Sequence, residues 1–319
     1  MATSGTYSFA VTRDDIIRQA LLNIRRLDPD DSPPAVETND CARVLNMLCK
    51  QWMGTSDFAP GLKVWTRKRG HLLLSNSTGT YTLGPSASGW TNDLTQTVTT
   101  AAASAAATSI VVSSVTGLTS GMSLVIQLSS GALYHTTISS IAGSTVNFVT
   151  GSLPSASASG SMVYAYSAAA QMPIHIETAI LRDDVNDDTP LRIMTVQDYD
   201  YLPSKADVTY TGDPTAILYE TGLSSGTLRT DVGSAQDVSK HIVLTYLEPV
   251  QDLTNPTDAP YYPQEWYLAL CWGLSEQICP MFGANWTQKM EGLKNTALAI
   301  ARNKDPEISS LFFQPGASD

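Results

Sequence analysis

From Leu94 to Ile176 the chain contains no Asp, Glu, Lys or Arg. Composition shifts abruptly at both ends of this stretch, through an Ala-rich entry at 101–107 and a Ser-rich exit at 152–161. Between them, short runs of β-branched and apolar residues fall at 109–113, 123–128, 134–139, 145–150 and 162–166. Glycines at 117, 121, 131, 143 and 151 separate them, the regular turn spacing of a small β-barrel or sandwich. The stretch therefore reads as an inserted β-rich domain, residues 93–169, and whatever flanks it must be one discontinuous domain built from 1–92 and 170–304.

The flanks carry helical signals at both ends of the chain. Thr12 followed by Asp15 is a variant capping box, and Ile17, Ala20, Leu21 and Ile24 recur at helical spacing behind it. After a break at 28–34, Cys41, Val44, Leu45, Leu48, Cys49 and Trp52 form a second apolar stripe, so a pair of antiparallel helices is expected. From residue 62 the pattern becomes extended, with a hairpin reaching Thr80–Leu83. Beyond the insertion, strands are expected around 174–182, 191–196, 215–220 and 241–247. Two closing helices follow: one with Tyr267, Leu270, Cys271, Leu274 and Ile278 on one face, the next capped by Asn285 with Trp286, Met290, Leu293 and Ala297 as its buried stripe. The expected fold class is α+β: a helical bundle with attached β-hairpins or sheet, plus the inserted all-β barrel or sandwich.

Charge limits function. The net charge is −11, with 10 basic and 9 acidic groups in residues 1–93 but 9 basic and 21 acidic in 177–319. Affinity for phosphates comes from Lys and Arg, so tight DNA binding is disfavoured, whereas a channel past which DNA slides without sticking is compatible. Only 15% of residues are charged, which leaves much of the surface to Ser, Thr, Gly and Ala and suits packing against neighbours. No apolar run approaches a membrane span, and residues 1–10 lack a signal-like core, so the chain is expected to stay in the cytoplasm in which it is made. Cys41 and Cys49, like Cys271 and Cys279, are eight residues apart; on a helix that places them about 12 Å apart, too far for a disulfide, so core thiols are expected.

Catalytic motifs find little support. Gly222-Leu223-Ser224-Ser225-Gly226 matches a nucleophile elbow, but a strand rather than a helix follows it, so a hairpin turn is the simpler reading. Asp184, Asn186 and Asp188 have alternate calcium-loop spacing, yet the glycine after Asp188 is missing and Thr195 stands where the bidentate carboxylate belongs. His71, His135, His175 and His241 are scattered, without metal-ligand spacing. Glu177, Glu220, Glu248 and Glu265 are nominal candidates for a glycosidase pair, and the sequence does not choose among them. No catalytic residue, cofactor or metal ligand is assigned. Arg67, Lys68 and Arg69 are the densest basic cluster, either a protected strand edge or an electrostatic contact with an acidic neighbouring subunit. Leu311, Phe312 and Phe313 concentrate apolar area on a tail, 305–319, flanked by Pro306 and Pro315, which suggests docking on another surface.

The chain resembles the head-to-tail adaptor family of short-tailed bacteriophages, also called tail accessory or packaged-DNA stabilisation proteins. The likeness rests on Thr12-Arg13-Asp14-Asp15-Ile16-Ile17-Arg18-Gln19-Ala20-Leu21, on Trp65-Thr66, and on Gly79-Thr80-Tyr81-Thr82-Leu83-Gly84. It continues through Leu244-Thr245-Tyr246-Leu247-Glu248-Pro249, Asp258-Ala259-Pro260 and Pro263-Gln264-Glu265-Trp266. These stretches cover about residues 10–92 and 190–300 and leave the insertion outside. The resemblance implies a non-enzymatic virion protein that forms a ring, expected to be a dodecamer, beneath the portal. It would retain packaged DNA, provide its exit channel without sequence-specific binding, and attach the tail nozzle. The tail residues Leu311, Phe312 and Phe313 would then dock on the portal, and the insertion, 94–168, would reach tail fibres or spikes. Cell-wall glycan cleavage and a nozzle or tube role are the alternatives.

Overall fold

A computed structural model of the chain describes residues 5, 8–56, 59–60, 64–149, 151–205 and 207–303. Five α-helices occur among them: α1 (Arg13–Asn23), α2 (Ala35–Met53), α3 (Val196–Asp200), α4 (Tyr267–Ile278) and α5 (Gln288–Asn303). The chain divides into two compact units, one made of residues up to Thr66 and from Pro249 onward, the other of Arg67–Glu248.

The first unit holds α1, α2, α4 and α5 around one core. Thr12 accepts a hydrogen bond from the Asp15 amide at 3.2 Å while the Asp15 carboxylate accepts from the Thr12 amide at 2.9 Å, so the capping box forms as expected. Ile17, Ala20, Leu21 and Ile24 are buried behind it, against Leu45, Cys49, Leu270, Leu274 and Ile278. The last helix differs from expectation. Its first turn is capped by Thr287, whose hydroxyl accepts from the Met290 amide at 3.4 Å, rather than by Asn285. Its buried residues are Ala297 and Ala301, whereas Leu293 is 43% exposed. Leu298 packs half-buried against the same core, while Leu293 and Ile300 are left outside.

The second unit contains an eight-stranded and a six-stranded sheet. In chain order the strands of these two sheets are β1 (Arg67–Leu73), β2 (Thr80–Leu83), β3 (Trp90–Thr91), β4 (Thr95–Val98), β5 (Ser109–Val111), β6 (Ser123–Gln127), β7 (Leu133–Ala142), β8 (Thr145–Phe148), β9 (Met162–Tyr166), β10 (His175–Arg182), β11 (Asp188–Ile193), β12 (Ala216–Glu220), β13 (Gly226–Thr230) and β14 (His241–Leu247). The larger sheet runs β2-β13-β12-β11-β10-β14-β1-β3, antiparallel except for the β11–β12 pair. One face buries Leu72, Trp90, Ile176, Leu228, Ile242, Leu244 and Tyr246.

The uncharged stretch forms the smaller sheet, β4-β9-β6-β7-β8-β5, with its own core of Ile110, Leu124, Ile126, Ile138, Val146 and Val163. The sheet curls until its edge strands meet: the Thr100 amide donates to the Val111 carbonyl and the Ser113 amide to the Val98 carbonyl, each at 2.9 Å. Such closure leaves few unpaired edge groups.

The α+β class holds, with more residues in strands than in helices and with large curled sheets; a helical bundle is not shown. The division of the chain falls at 66/67 and 248/249 rather than at 92/93 and 169/170. The reason is a second apolar seam: Val125, Met162, Tyr164 and Tyr166 of the smaller sheet pack with Leu73 of the larger one, so the two sheets form a single unit.

Candidate functional site

The stretches that carry the resemblance are far apart in sequence but converge in two places. In the first unit the Arg13 amide donates to the Asp258 carbonyl at 2.8 Å, and the Arg13 guanidinium donates to the Thr254 carbonyl at 2.9 Å. The Asp258 carboxylate in turn accepts from the backbone amides of Asn255 at 2.6 Å and Thr254 at 2.8 Å, which hold it below the usual carboxylate range, Asn255 foremost. Beside this knot Trp65 and Trp266 lie with ring centroids 5.6 Å apart, flanked by Trp52 and Tyr262. The Trp65 indole N–H is satisfied by the Tyr261 carbonyl at 3.0 Å. In the second unit, Tyr246 meets Trp90 at 5.2 Å and donates its hydroxyl proton to Asn92 at 2.9 Å.

The basic triplet occupies the start of β1, opposite the end of β14, with Arg67 paired to Leu247 and Lys68 to Tyr246. A bulge in β10 between Ile176 and Thr178 turns Glu177 toward it. Arg67 engages the Glu177 carboxylate at two points, Nε–Oε2 at 2.6 Å and Nη2–Oε1 at 3.0 Å. The Lys68 ammonium stands 3.7 Å from the largely buried Glu248. Arg69 is exposed. Two of the three cations proposed for a neighbouring subunit thus meet carboxylates of their own chain, at the corner where the chain enters and leaves this unit.

The catalytic candidates are dispersed. Ser224 sits in the turn of the β12–β13 hairpin, whose register pairs Glu220 with Thr227, and no helix follows it. Glu177 and Glu248 face the cations just described, Glu220 lies 3.1 Å from Arg229, and Glu265 belongs to a short 3-10 turn before α4 in the other unit. The acidic loop 183–188 joins β10 to β11. Asp183 accepts from the amides of Val185 at 3.0 Å and Asp187 at 2.7 Å, while Asp188 pairs with Arg182 at 2.7 Å. The four cysteines are buried and unpaired. Burial pushes the thiols of Cys49 and Cys271 up to about 12 and that of Cys41 up to about 11. Among the described residues no group of three or more His, Cys, Asp or Glu is placed to hold a metal ion, and no helix is long and apolar enough to cross a membrane.

One association was invisible in the sequence: His71 and His241, scattered along the chain, are brought together by the β1–β14 pairing. Leu311, Phe312 and Phe313 lie outside the described residues. Comparison with known proteins adds nothing to these observations: no protein-family model matches the chain, and no curated protein is matched by it.

Proposed function

We propose that the chain is a structural head-to-tail adaptor of a short-tailed phage, present in many copies as a ring between portal and tail, retaining packaged DNA and offering its exit path. In this reading the helices of the first unit correspond to the adaptor's bundle, the closed sheet is its barrel-like insertion, and the protein has no catalytic role. The observation that carries it is the convergence of the resemblance stretches. Residues 12–21, 65–66, 258–260 and 263–266 build one hydrogen-bonded aromatic core, as parts of one inherited fold would.

The outer helix faces favour assembly into a larger body. Leu293 and Ile300, two turns apart on α5, are 43% and 56% exposed, and Leu268 of α4 and Met47 of α2 are also exposed. Large apolar groups left on helices that already have a core support the reading that this face is covered in an assembly. Their presence argues against a surface that is polar throughout. The expected partners are further copies of this chain, the portal and the tail nozzle, with the tail 305–319 on the portal and the insertion available to fibres or spikes. Replacing Phe312 and Phe313 by Ser tests the portal contact: affinity should fall at least roughly tenfold with no change in the melting temperature of the free chain. Unchanged affinity would remove the tail from the interface.

A further inference from the structure

Arg182, His241 and Leu73 stand in one row across neighbouring strands, since Arg182 is opposite His241 on β10 and Leu73 is opposite it on β1. His71 lies two residues from Leu73 on the same strand and therefore on the same face, away from Leu72 and Ile242. The imidazoles of His71 and His241 are diagonal neighbours, 5.2 Å between centroids and tilted by 41°. Leu94 and Gln96 from the edge of the smaller sheet and Asn186 from the β10–β11 turn complete a cavity of about 200 Å³ around them. Its lining contains two imidazoles, a guanidinium and two side-chain amides, and no carboxylate.

One ring has a side-chain partner from the smaller sheet. The Gln96 side-chain nitrogen lies 3.3 Å from His241 Nδ1. With the Gln96 amide nitrogen as donor, Nδ1 accepts and the neutral ring carries its proton on Nε2. His241 is 1% exposed, and its Nε2 meets no acceptor among the described residues; His71 Nδ1 is equally buried without a partner. A buried donor of this kind requires an acceptor. The charged groups around the pair are Arg182 and Arg69, opposed by Asp188, which takes Nε and Nη2 of Arg182 at 2.7 and 2.8 Å. Tyr164, 6.4 Å from His241, approaches from the smaller sheet.

We propose that this cavity binds a small inorganic anion, held by the Nε2–H of His241 and the Nδ1–H of His71, with Arg182 supplying the charge. Protonation of either imidazole adds a donor and a positive charge, so binding should tighten as pH falls. The proposal does not depend on the chain being an adaptor, because it concerns only the face shared by the two sheets.

Imidazole NMR on the full-length, isotope-labelled chain tests it. Chloride and inorganic phosphate are titrated separately at pH 7, with ionic strength held constant by a bulky sulfonate. The expected result is a saturable shift of the His71 and His241 resonances, absent at the exposed His175, with both rings titrating higher by about half a pH unit or more at saturation. Response to chloride alone, to phosphate alone or to both identifies which anion the cavity accepts. His241→Gln should abolish the response at His71; if that variant fails to fold, Arg182→Gln combined with Asp188→Asn should weaken it at least roughly tenfold. No saturable shift up to about 0.5 M of either anion, equal shifts at His175, or a response to Zn²⁺ in place of the anions would overturn the proposal.

Discussion

The hydroxyl of Tyr164, on the smaller sheet, donates a 2.6 Å hydrogen bond to the carbonyl of Ser239, just before β14 of the larger one. It is part of a continuous seam. The Gly89 amide donates to the Tyr166 hydroxyl at 3.0 Å, the Asn76 side chain donates to the Ser130 carbonyl at 3.2 Å, and Leu73 packs against Met162 and Val125. Tyr164→Phe should therefore cost about 1 kcal/mol in urea unfolding. Deleting residues 94–168 exposes Leu73 and the buried His241, so the shortened chain should melt about 5 °C or more below the parent. A deletion variant as stable as the parent would show that the two sheets are energetically separate.

The histidine pair couples stability to pH. Burial, then the neighbouring His71 and Arg182, lowers His241 to about 4, below the value of roughly 6.5 expected in the unfolded chain. A depressed histidine means that the unfolded state takes up protons first as pH falls. The contribution is fully present above about pH 6.5 and is lost as pH drops toward 4, amounting to about 3 kcal/mol at its limit. His71 is lowered in the same direction. Urea midpoints between pH 7.5 and 4.5 should fall accordingly, and His241→Gln should flatten the dependence. A parent midpoint independent of pH over that range would contradict the burial of this ring.

Gly70 occupies the middle of β1, and a Cβ built there would fall inside the indole of Trp90, which is completely buried. Gly70→Ala should displace Trp90 and destabilise by about 2 kcal/mol, within the usual range for overpacking. Tryptophan fluorescence of the native variant should shift to the red; an unchanged spectrum and midpoint would place Trp90 elsewhere.

The same glycine shows where the sequence was readable and where it was not. β12 and β14, which are short apolar runs, and β13, which alternates, stand where the sequence pattern puts them, and the capping box of Thr12 and Asp15 forms as read. β1 lies in the stretch read as extended from residue 62, with Arg67, Lys68 and Arg69 on a strand, but it is an interior strand between β14 and β3 and not an edge; the cations are tolerated there since Glu177 and Glu248 neutralise two of them. β4 was missed because Thr95-Gln96-Thr97-Val98 has no apolar alternation, and it is held by pairing with β9 instead. Sheet order, and with it the meeting of His71 and His241, depends on long-range pairing that no local pattern encodes. The α5 stripe holds at Ala297 and at Trp286, which packs against the core, but departs at Leu293: periodicity locates a face, and tertiary contact selected Ala301 over Leu293.

The raised thiols of Cys41, Cys49 and Cys271 predict chemical silence. With values pushed up to about 11–12, only on the order of one thiol in a thousand or fewer is ionised at pH 8, and all four cysteines are buried. A disulfide reagent such as Ellman's should release no colour from the native chain within minutes and four equivalents after denaturation, matching the four cysteines. Rapid reaction of the native protein would show that the helical core opens or that a thiol lies at its surface.

The adaptor reading is tested most directly by mixing the purified chain with the portal ring of the phage that carries it and imaging the product by electron cryomicroscopy. The account predicts a closed ring of this chain seated on the portal, with α5 and its exposed Leu293 and Ile300 covered by neighbouring copies. A portal that remains bare while the chain stays monomeric, at concentrations well above micromolar, would contradict it.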